Sequence, residues 1–250
     1  IANNKEAHAE RVAVITGTSS GFGMLAAVEL ARRRCRVMAT MRDVSRSGEL
    51  KERADRAGVA ERIEIRQLDV TDHDSIERVV GDVLKSHGRI DILVNNAGFA
   101  VGGFVEDVPM EQWRRQMETN VFGLVAMTRS VIPAMRERGS GRIINISSTS
   151  GRIGLPGFAP YSASKFAVEG LSESLRHELA PFGIQVVLIE PGAYRTSIWG
   201  KGLAEIPDSS ASPYAARMQS IMKYAQNAAQ TAPDPQEVAT LIGNIADHPS

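Results

Sequence analysis

An α/β domain with helices on both faces of a doubly wound parallel sheet is the fold this sequence predicts. Three observations carry that prediction. Short apolar runs recur along the chain, stretches of helical spacing separate them, and a glycine-rich turn links the first run to the first helical stretch. Strand and helix alternating in this way predict a parallel sheet covered on both sides. Right-handed crossovers make it doubly wound, with ligands at the carboxyl ends of the strands. No linker, low-complexity tract or short-period repeat interrupts the 250 residues. That length suits one large domain and is too short for two, so residues 1–250 are read as a single domain.

The first run, Val12-Ala13-Val14-Ile15, has no polar position, as expected of a strand buried on both faces. Leu25, Val28, Glu29 and Leu30 mark the helix that follows. The second and third strands fall at Val37-Met38-Ala39 and Ile63-Glu64-Ile65, and Ile76, Val79, Val80 and Val83 mark the next helix. Ile92-Leu93-Val94 is the fourth strand. A long helix then runs from about Met110 to Arg138, with Trp113, Met117, Val121, Leu124, Thr128 and Ile132 along one stripe. Ile143 to Ile146 form the fifth strand.

A second long helix starts near Pro160, where a missing N–H costs little, and is ended by Pro181 and Gly183. It carries Phe166, Ala167, Gly170, Leu171, Ser174 and Leu175. With Ala163, its small residues allow close approach of another helix, from this chain or from a second copy. Val186 to Ile189 are the sixth strand. From Tyr194 to Ala232 the composition turns to Ser, Ala, Pro and Met without a strand signal, so 194–232 is read as a small lid over a ligand site. Met218, Ile221, Met222 and Ala225 fall at helical spacing there, which reads as packing rather than ligand contact.

Basic and acidic side chains balance at 29 each and are scattered, so no net field calls for nucleic acid or an anionic membrane. No apolar run reaches the length of a membrane span, and the polar stretch Ile1 to His8 is no secretory signal. It reads as a loose arm, and a start at Ile1 suggests that residues precede it. Cys35 is the only cysteine; it excludes an internal disulfide framework, suits a reducing cytoplasm, and reads as a small packed residue. His8, His73, His87, His177 and His248 lack metal-ligand spacing, so no metal is expected.

Thr16-Gly17-Thr18-Ser19-Ser20-Gly21-Phe22-Gly23 follows a strand and opens a helix. Glycines let the backbone turn tightly and approach a pyrophosphate, and the helix N-terminus offers free N–H groups. The spacing differs from the standard G-x-G-x-x-G, and a purely structural turn is the alternative. At the end of the second strand an acid would bond the ribose hydroxyl of NAD, whereas arginine would attract the phosphate of NADP. Met41 stands where that acid is expected and Arg42 follows it, which favours NADP; Asp43 keeps NAD open as the second choice.

Tyr161 precedes Lys165 by one helical turn, and Ser148 lies just after the fifth strand. Residues four apart share a helix face, and a nearby cation favours the phenolate, so the tyrosine's pKa is expected to fall from near 10. Taken singly, Tyr161 reads as a buried tyrosine, Lys165 as a snorkelling surface chain and Ser148 as a cap. Together with the glycine turn they point to acid–base work coupled to a nucleotide cofactor.

These motifs resemble the short-chain dehydrogenase/reductase family, from about Arg11 to Ile189 and beyond. The glycine turn, Asp69-Val70, Asn95-Asn96-Ala97-Gly98, the serine–tyrosine–lysine set and Pro191-Gly192 with Thr196 occur in the family's order. Tyr161 to Gly170 with Pro181-Phe182-Gly183 is most similar to members acting on hydroxysteroids and retinol. The resemblance implies a Rossmann-type sheet and hydride transfer between NADP(H) and a carbonyl or secondary alcohol. In it Asp69 and Val70 hold the adenine, Asn96, Ala97 and Gly98 line the nucleoside, and Asn95 ties strands. Pro191, Gly192 and Thr196 fix the carboxamide. Tyr161 is the acid–base, Lys165 lowers its pKa and bonds the ribose, Ser148 holds the substrate oxygen, and Asn120 holds a water in the proton path. A homodimer or homotetramer is expected.

Phe99, Val101, Phe104, Ile153, Leu155, Phe158, Tyr194, Ile198 and Trp199 are placed near the pocket and suggest an apolar substrate. The rival reading is a non-catalytic NADP(H)-sensing regulator, which would be expected to lack the tyrosine or the lysine. Epimerase or dehydratase chemistry needs a larger carboxyl-terminal domain. The sequence ends at Ser250 after a helix, where the family usually continues with a final strand and tail.

Overall fold

The computed structural model describes residues 10–196 and 212–248. Its first half runs β1 (Val12–Thr16), α1 (Gly21–Arg32), β2 (Arg36–Met41), α2 (Gly48–Arg56), β3 (Ile63–Gln67), α3 (His73–His87) and β4 (Ile92–Asn95). Its second half runs α4 (Met110–Met117), α5 (Gly123–Arg138), β5 (Gly141–Ile146), α6 (Ala159–Leu179), β6 (Ile184–Ile189), α7 (Ala215–Thr231) and α8 (Gln236–Asp247). The strands form one parallel sheet in the order β3-β2-β1-β4-β5-β6. The order reverses between β1 and β4, and the crevice at the carboxyl ends of those two strands is where such sheets take ligands.

Every residue of β1 is buried because both faces are covered. Ala13 and Ile15 face one core, with Met24 and Leu30 of α1, Leu50 of α2 and Val238 and Ile242 of α8. Val12 and Val14 face the other, with Ile76, Val79 and Val83 of α3 and Met127, Val131 and Met135 of α5. Cys35 is fully buried in the first core, where burial pushes its thiol pKa up, consistent with a packed residue. β3 departs from the expected buried run. As an edge strand it is only partly covered, and its Arg66 Nη2 pairs with Glu64 Oε2 at 2.7 Å on the exposed side.

The long helix predicted over Met110–Arg138 is interrupted by a π turn at Glu118–Phe122. One extra residue in a turn rotates the faces on either side of it. Before the turn the buried side chain is Gln116; after it they are Leu124, Met127, Thr128, Val131 and Met135. The predicted stripe is therefore corrected: Trp113, Met117 and Ile132 are only half-buried.

On α6 the correction is larger. Its buried face carries Ser162, Ser164, Lys165, Val168, Glu169 and Ser172, whereas Ala163, Phe166, Gly170 and Ser174 are exposed, Phe166 by 47%. No described helix of this chain covers that small-residue face.

The carboxyl-terminal end is latched to the opposite, amino-terminal edge of the sheet. The buried Arg142 guanidinium donates to the carbonyls of Ile245 (2.6 Å), Ala246 (3.0 Å) and His248 (2.8 Å). These are carbonyls that a helix end leaves without partners.

Candidate active site

The turn after β1 is shaped by the residues that follow β4. Asn96 Nδ2 donates to the carbonyls of Thr16 (2.8 Å) and Gly17 (3.0 Å), and Thr16 Oγ1 accepts the N–H groups of Asn96 (3.0 Å) and Ala97 (2.9 Å). Gly17 sits at φ +72°, a conformation that side chains disfavour. A methyl on Gly23 would lie 2.3 Å from Asn96 Nδ2 and 2.6 Å from the Gly17 carbonyl. The backbone is thus pressed into a narrow cradle at the N-terminus of α1, which fits a dinucleotide's pyrophosphate. Ser20 occupies the N-cap position of α1 without a capping side-chain hydrogen bond, and Ser19 is half-exposed beside it.

Thr18 is fully buried, with both its N–H and Oγ1 donating to the Thr40 carbonyl at 3.0 Å. It ties the turn to β2 and presents no free hydroxyl. Phe22 packs edge-on against Tyr194, ring centroids 5.6 Å apart, and a methyl on Gly21 would lie 3.7 Å from Thr196 Cβ. The loop after β6, with Pro191 and Gly192, therefore meets the glycine turn. Pro191 is buried, and its carbonyl accepts the Thr149 N–H at 3.1 Å.

At the end of β2, Met41 is buried in the core, and Arg42 after it is exposed. Asp43 is committed locally: Oδ1 accepts Ser45 N–H (3.0 Å) and Oγ (2.6 Å), which holds its carboxyl below the usual range. Asp69 Oδ1 likewise accepts from Thr71 N–H (3.0 Å) and Oγ1 (2.8 Å), which orients the carboxylate after β3. Val70 is buried against Gly123 at the start of α5. Asn95 ties strands as expected, its Nδ2 donating to Asn145 Oδ1 (2.9 Å) and Thr128 Oγ1 (3.0 Å).

The chemistry-bearing set gathers at the carboxyl end of β5. Ser148 is buried, with Oγ accepting the Ser150 N–H at 3.1 Å, and its hydroxyl is the polar neighbour that offsets part of the effect of burial on the Tyr161 phenol. Lys165 Nζ lies 5.7 Å from the Tyr161 ring centroid and donates to the Ile146 carbonyl at 2.8 Å. Tyrosine and lysine thus share one face of α6.

The direction of the tyrosine's shift corrects the expectation. Burial pushes the Tyr161 phenol up, with the Ser148 hydrogen bond opposing it, and the ammonium does not reverse that rise. Burial also lowers Lys165, to about 8, against a raising pull from Glu169. Desolvation disfavours whichever form is charged, so it moves the two groups in opposite directions.

Asn120 lies in the π turn, buried, with its side chain occupied. Nδ2 donates to the Phe99 carbonyl (3.0 Å) and Ser164 Oγ (3.1 Å), and Oδ1 accepts the Phe99 N–H (3.1 Å). It fastens the strand 4 loop, with Gly98 against it, to the helix of Tyr161. Gln116 was missed in the sequence: Nε2 donates to the Phe99 carbonyl and Oε1 accepts the Val101 N–H, both at 2.7 Å. A polar pair four apart on one side of the long helix, Gln116 and Asn120, was the available signal.

Of the residues expected near the pocket, Val101 is fully buried and is corrected to a core residue. Phe104 stacks on Tyr214, centroids 4.4 Å apart, and Ser212 Oγ donates to Asp107 Oδ2 at 2.9 Å. Met218 is buried near Gly157, with Ile221 beside it. Ile153 and Leu155 are exposed, Phe158 and Phe99 half-buried, and Ile198 and Trp199 lie outside the described residues. Among the described residues no cluster could hold a metal ion, and no helix is long and apolar enough to cross a membrane.

Comparison with known proteins finds a family model described as short chain dehydrogenase over residues 11–205. The uncharacterized oxidoreductase YusZ of Bacillus subtilis is 49% identical, over 95% of this chain and 85% of its own length. Retinol dehydrogenase 8 of Bos taurus is 38% identical over 80% of this chain and 64% of its own. A short-chain dehydrogenase from Streptomyces avermitilis superposes with a TM-score of 0.83 at 39% identity, over 96% of this chain and 84% of that one. A closed serine dehydrogenase complexed with NADP+ does so at 0.81 and 31%, over 95% and 90%.

Proposed function

The chain belongs to the short-chain dehydrogenase/reductase family and is an NAD(P)-dependent oxidoreductase; from that premise we propose that it interconverts an apolar carbonyl compound and its secondary alcohol with NADP(H). The grouping of Ser148, Tyr161 and Lys165 beside the glycine cradle is the observation that carries this reading. The cofactor, when bound, supplies or takes the hydride at its nicotinamide. Gly17, Ser19, Ser20, Gly21 and Gly23 would hold its pyrophosphate, Asp69 and Val70 the adenine, and Asn96, Ala97 and Gly98 the nucleoside. Phe22, Pro191, Gly192 and Thr196 would border the nicotinamide end, and Thr18 would set the turn.

In reduction Tyr161 donates its hydroxyl proton to the substrate oxygen, and in oxidation the tyrosinate accepts one. A phenol held protonated by burial favours the first role near neutral pH. Ser148 donates to the same oxygen and stabilises the charge growing there. Lys165, held by the Ile146 carbonyl, gives the proton path its cation, and Asn120 holds the wall between the strand 4 loop and α6.

The capped Asp43 and exposed Arg42 support NADP over NAD, as do structural relatives solved with NADP. Loss of a charge-assisted contact of about 1.5–3 kcal/mol corresponds to roughly 10- to 100-fold. Arg42→Ala should therefore cut the ratio of kcat/KM for NADPH over NADH by about that factor; an unchanged ratio would remove Arg42 from the reading.

Similarity to a retinol dehydrogenase supports an apolar substrate, and residues 194–232, of which 197–211 lie outside the described residues, are proposed as its lid, with α7 packed on the loops before α4 and α6. The exposed face of α6 supports a homodimer or homotetramer, which light scattering should return as a multiple of the chain mass. The reading as a whole is tested by loss of absorbance at the nicotinamide band with NADPH and a panel of steroid, retinoid and long-chain ketones. Binding of NADPH with no carbonyl reduced would favour a sensing protein instead.

A further inference from the structure

One buried ionisable group beside the lysine has no part in the scheme above. Glu169 lies one turn beyond Lys165 on α6, is 5% exposed, and neither of its carboxylate oxygens accepts a hydrogen bond among the described residues. It cannot turn to solvent, because its side chain is wedged against the turn after β5. A methyl on Gly151 would sit 2.9 Å from Glu169 Cγ, 3.1 Å from Oε1 and 2.9 Å from the buried, unpartnered Ser147 Oγ.

The charged groups around it alternate in sign. Lys165 precedes it by one turn on the same buried face, with Tyr161 a further turn back. Arg152, from the turn after β5, brings Nε within 3.4 Å of Glu169 Oε2. The same guanidinium gives Nη2 to Glu190, after β6, at 2.9 Å, which holds that carboxyl below the usual range. The exposed Glu173 lies 3.9 Å from Arg152 Nη1. Two cations, Lys165 and Arg152, and three carboxylates, Glu169, Glu173 and Glu190, thus meet across the back of α6. Of the three carboxylates Glu169 is the buried one, and it stands on the face of α6 that carries Lys165.

We propose that Glu169 is a positioning residue whose buried carboxylate, one turn behind Lys165, holds that lysine as an ammonium directed at the Ile146 carbonyl. This rests on the reading that Lys165 serves Tyr161 and the cofactor. A lysine this deeply buried loses its proton too readily unless an anion compensates. Without Glu169 it would sit neutral over more of the working pH range.

The direct test is titration of the Lys165 side chain by NMR in the full chain carrying 13C-labelled lysine, with and without NADP+, the signal being assigned by its absence in Lys165→Met. The wild-type midpoint is expected at about 8. Glu169→Gln should lower it by about one pH unit, the smaller end of what a close opposite charge contributes. Glu169→Asp should restore much of that shift, and Glu173→Gln should leave the midpoint in place. A midpoint unmoved or raised in Glu169→Gln, or lowered equally by Glu173→Gln, overturns the proposal.

Should Glu169→Gln fail to fold, Arg152→Gln carries the test. It leaves Lys165 as the sole cation facing the carboxylate, so the midpoint must rise. With a carbonyl that the wild type reduces, the alkaline limb of kcat should move down in Glu169→Gln by the same amount as the NMR midpoint. If the wild type reduces none, the catalytic reading fails, while the titration still decides the coupling.

Discussion

Tyr161→Phe is expected to lower kcat by about 100- to 10,000-fold, the range that a positioned proton donor contributes. The change removes one oxygen and keeps the ring over which Lys165 stands. Neither neighbour is orphaned: Ser148 Oγ still accepts the Ser150 N–H, and Lys165 still donates to the Ile146 carbonyl. The stability cost should stay near that of one hydrogen bond, about 0.5–1.5 kcal/mol. NADPH affinity, read by its fluorescence, should change little. The decisive comparison is single-turnover reduction at saturating cofactor. A variant that reduces the carbonyl within tenfold of the wild-type rate would take the acid–base role from Tyr161.

Gly23→Ala is expected to weaken NADP(H) binding by about 30- to 1,000-fold. Its methyl would enter the space held by Asn96 Nδ2 and the Gly17 carbonyl, at 2.3 and 2.6 Å. The carbonyl is backbone and cannot step aside, and the amide is tied at 2.8 and 3.0 Å to the same turn. Overpacking of this kind costs about 1–3 kcal/mol, and a lost hydrogen bond adds about 1, with each 1.4 kcal/mol a factor of ten. Gly81→Ala is the control. It lies inside α3 with open space around it, so it should leave cofactor affinity unchanged and stabilise the fold by about 0.5–1 kcal/mol. Equal cofactor affinity in Gly23→Ala and wild type would show that the cradle is not where the pyrophosphate sits.

Much of the fold was legible in sequence because strands buried on both faces leave continuous apolar runs. Val12 to Ile15 is the clearest, and all of β1 is buried. The meeting of Ser148, Tyr161 and Lys165 was legible too, since helical spacing and one strand end suffice to place them. Features that depend on a partner element were not. The π turn at Glu118–Phe122 has no residue that marks it, yet it decides which side of the long helix faces inward. The buried face of α6 was misread because it is lined with polar groups, of which Ser164, Lys165 and Ser172 pair across to the π turn and β5. The Tyr161 shift was misjudged for the same reason: spacing shows the ammonium, whereas burial is set by everything packed around it.

The latch of α8 onto Arg142 and α1 has a consequence for how the chain is made. Residues 238–246 complete a core that begins with Ala13 and Met24, so the first βα unit remains half-covered until α8 has left the ribosome. At about 5–20 residues per second, that exposed interval lasts on the order of ten seconds or more. Deleting α8 should therefore leave a soluble yield far below that of a surface-loop deletion.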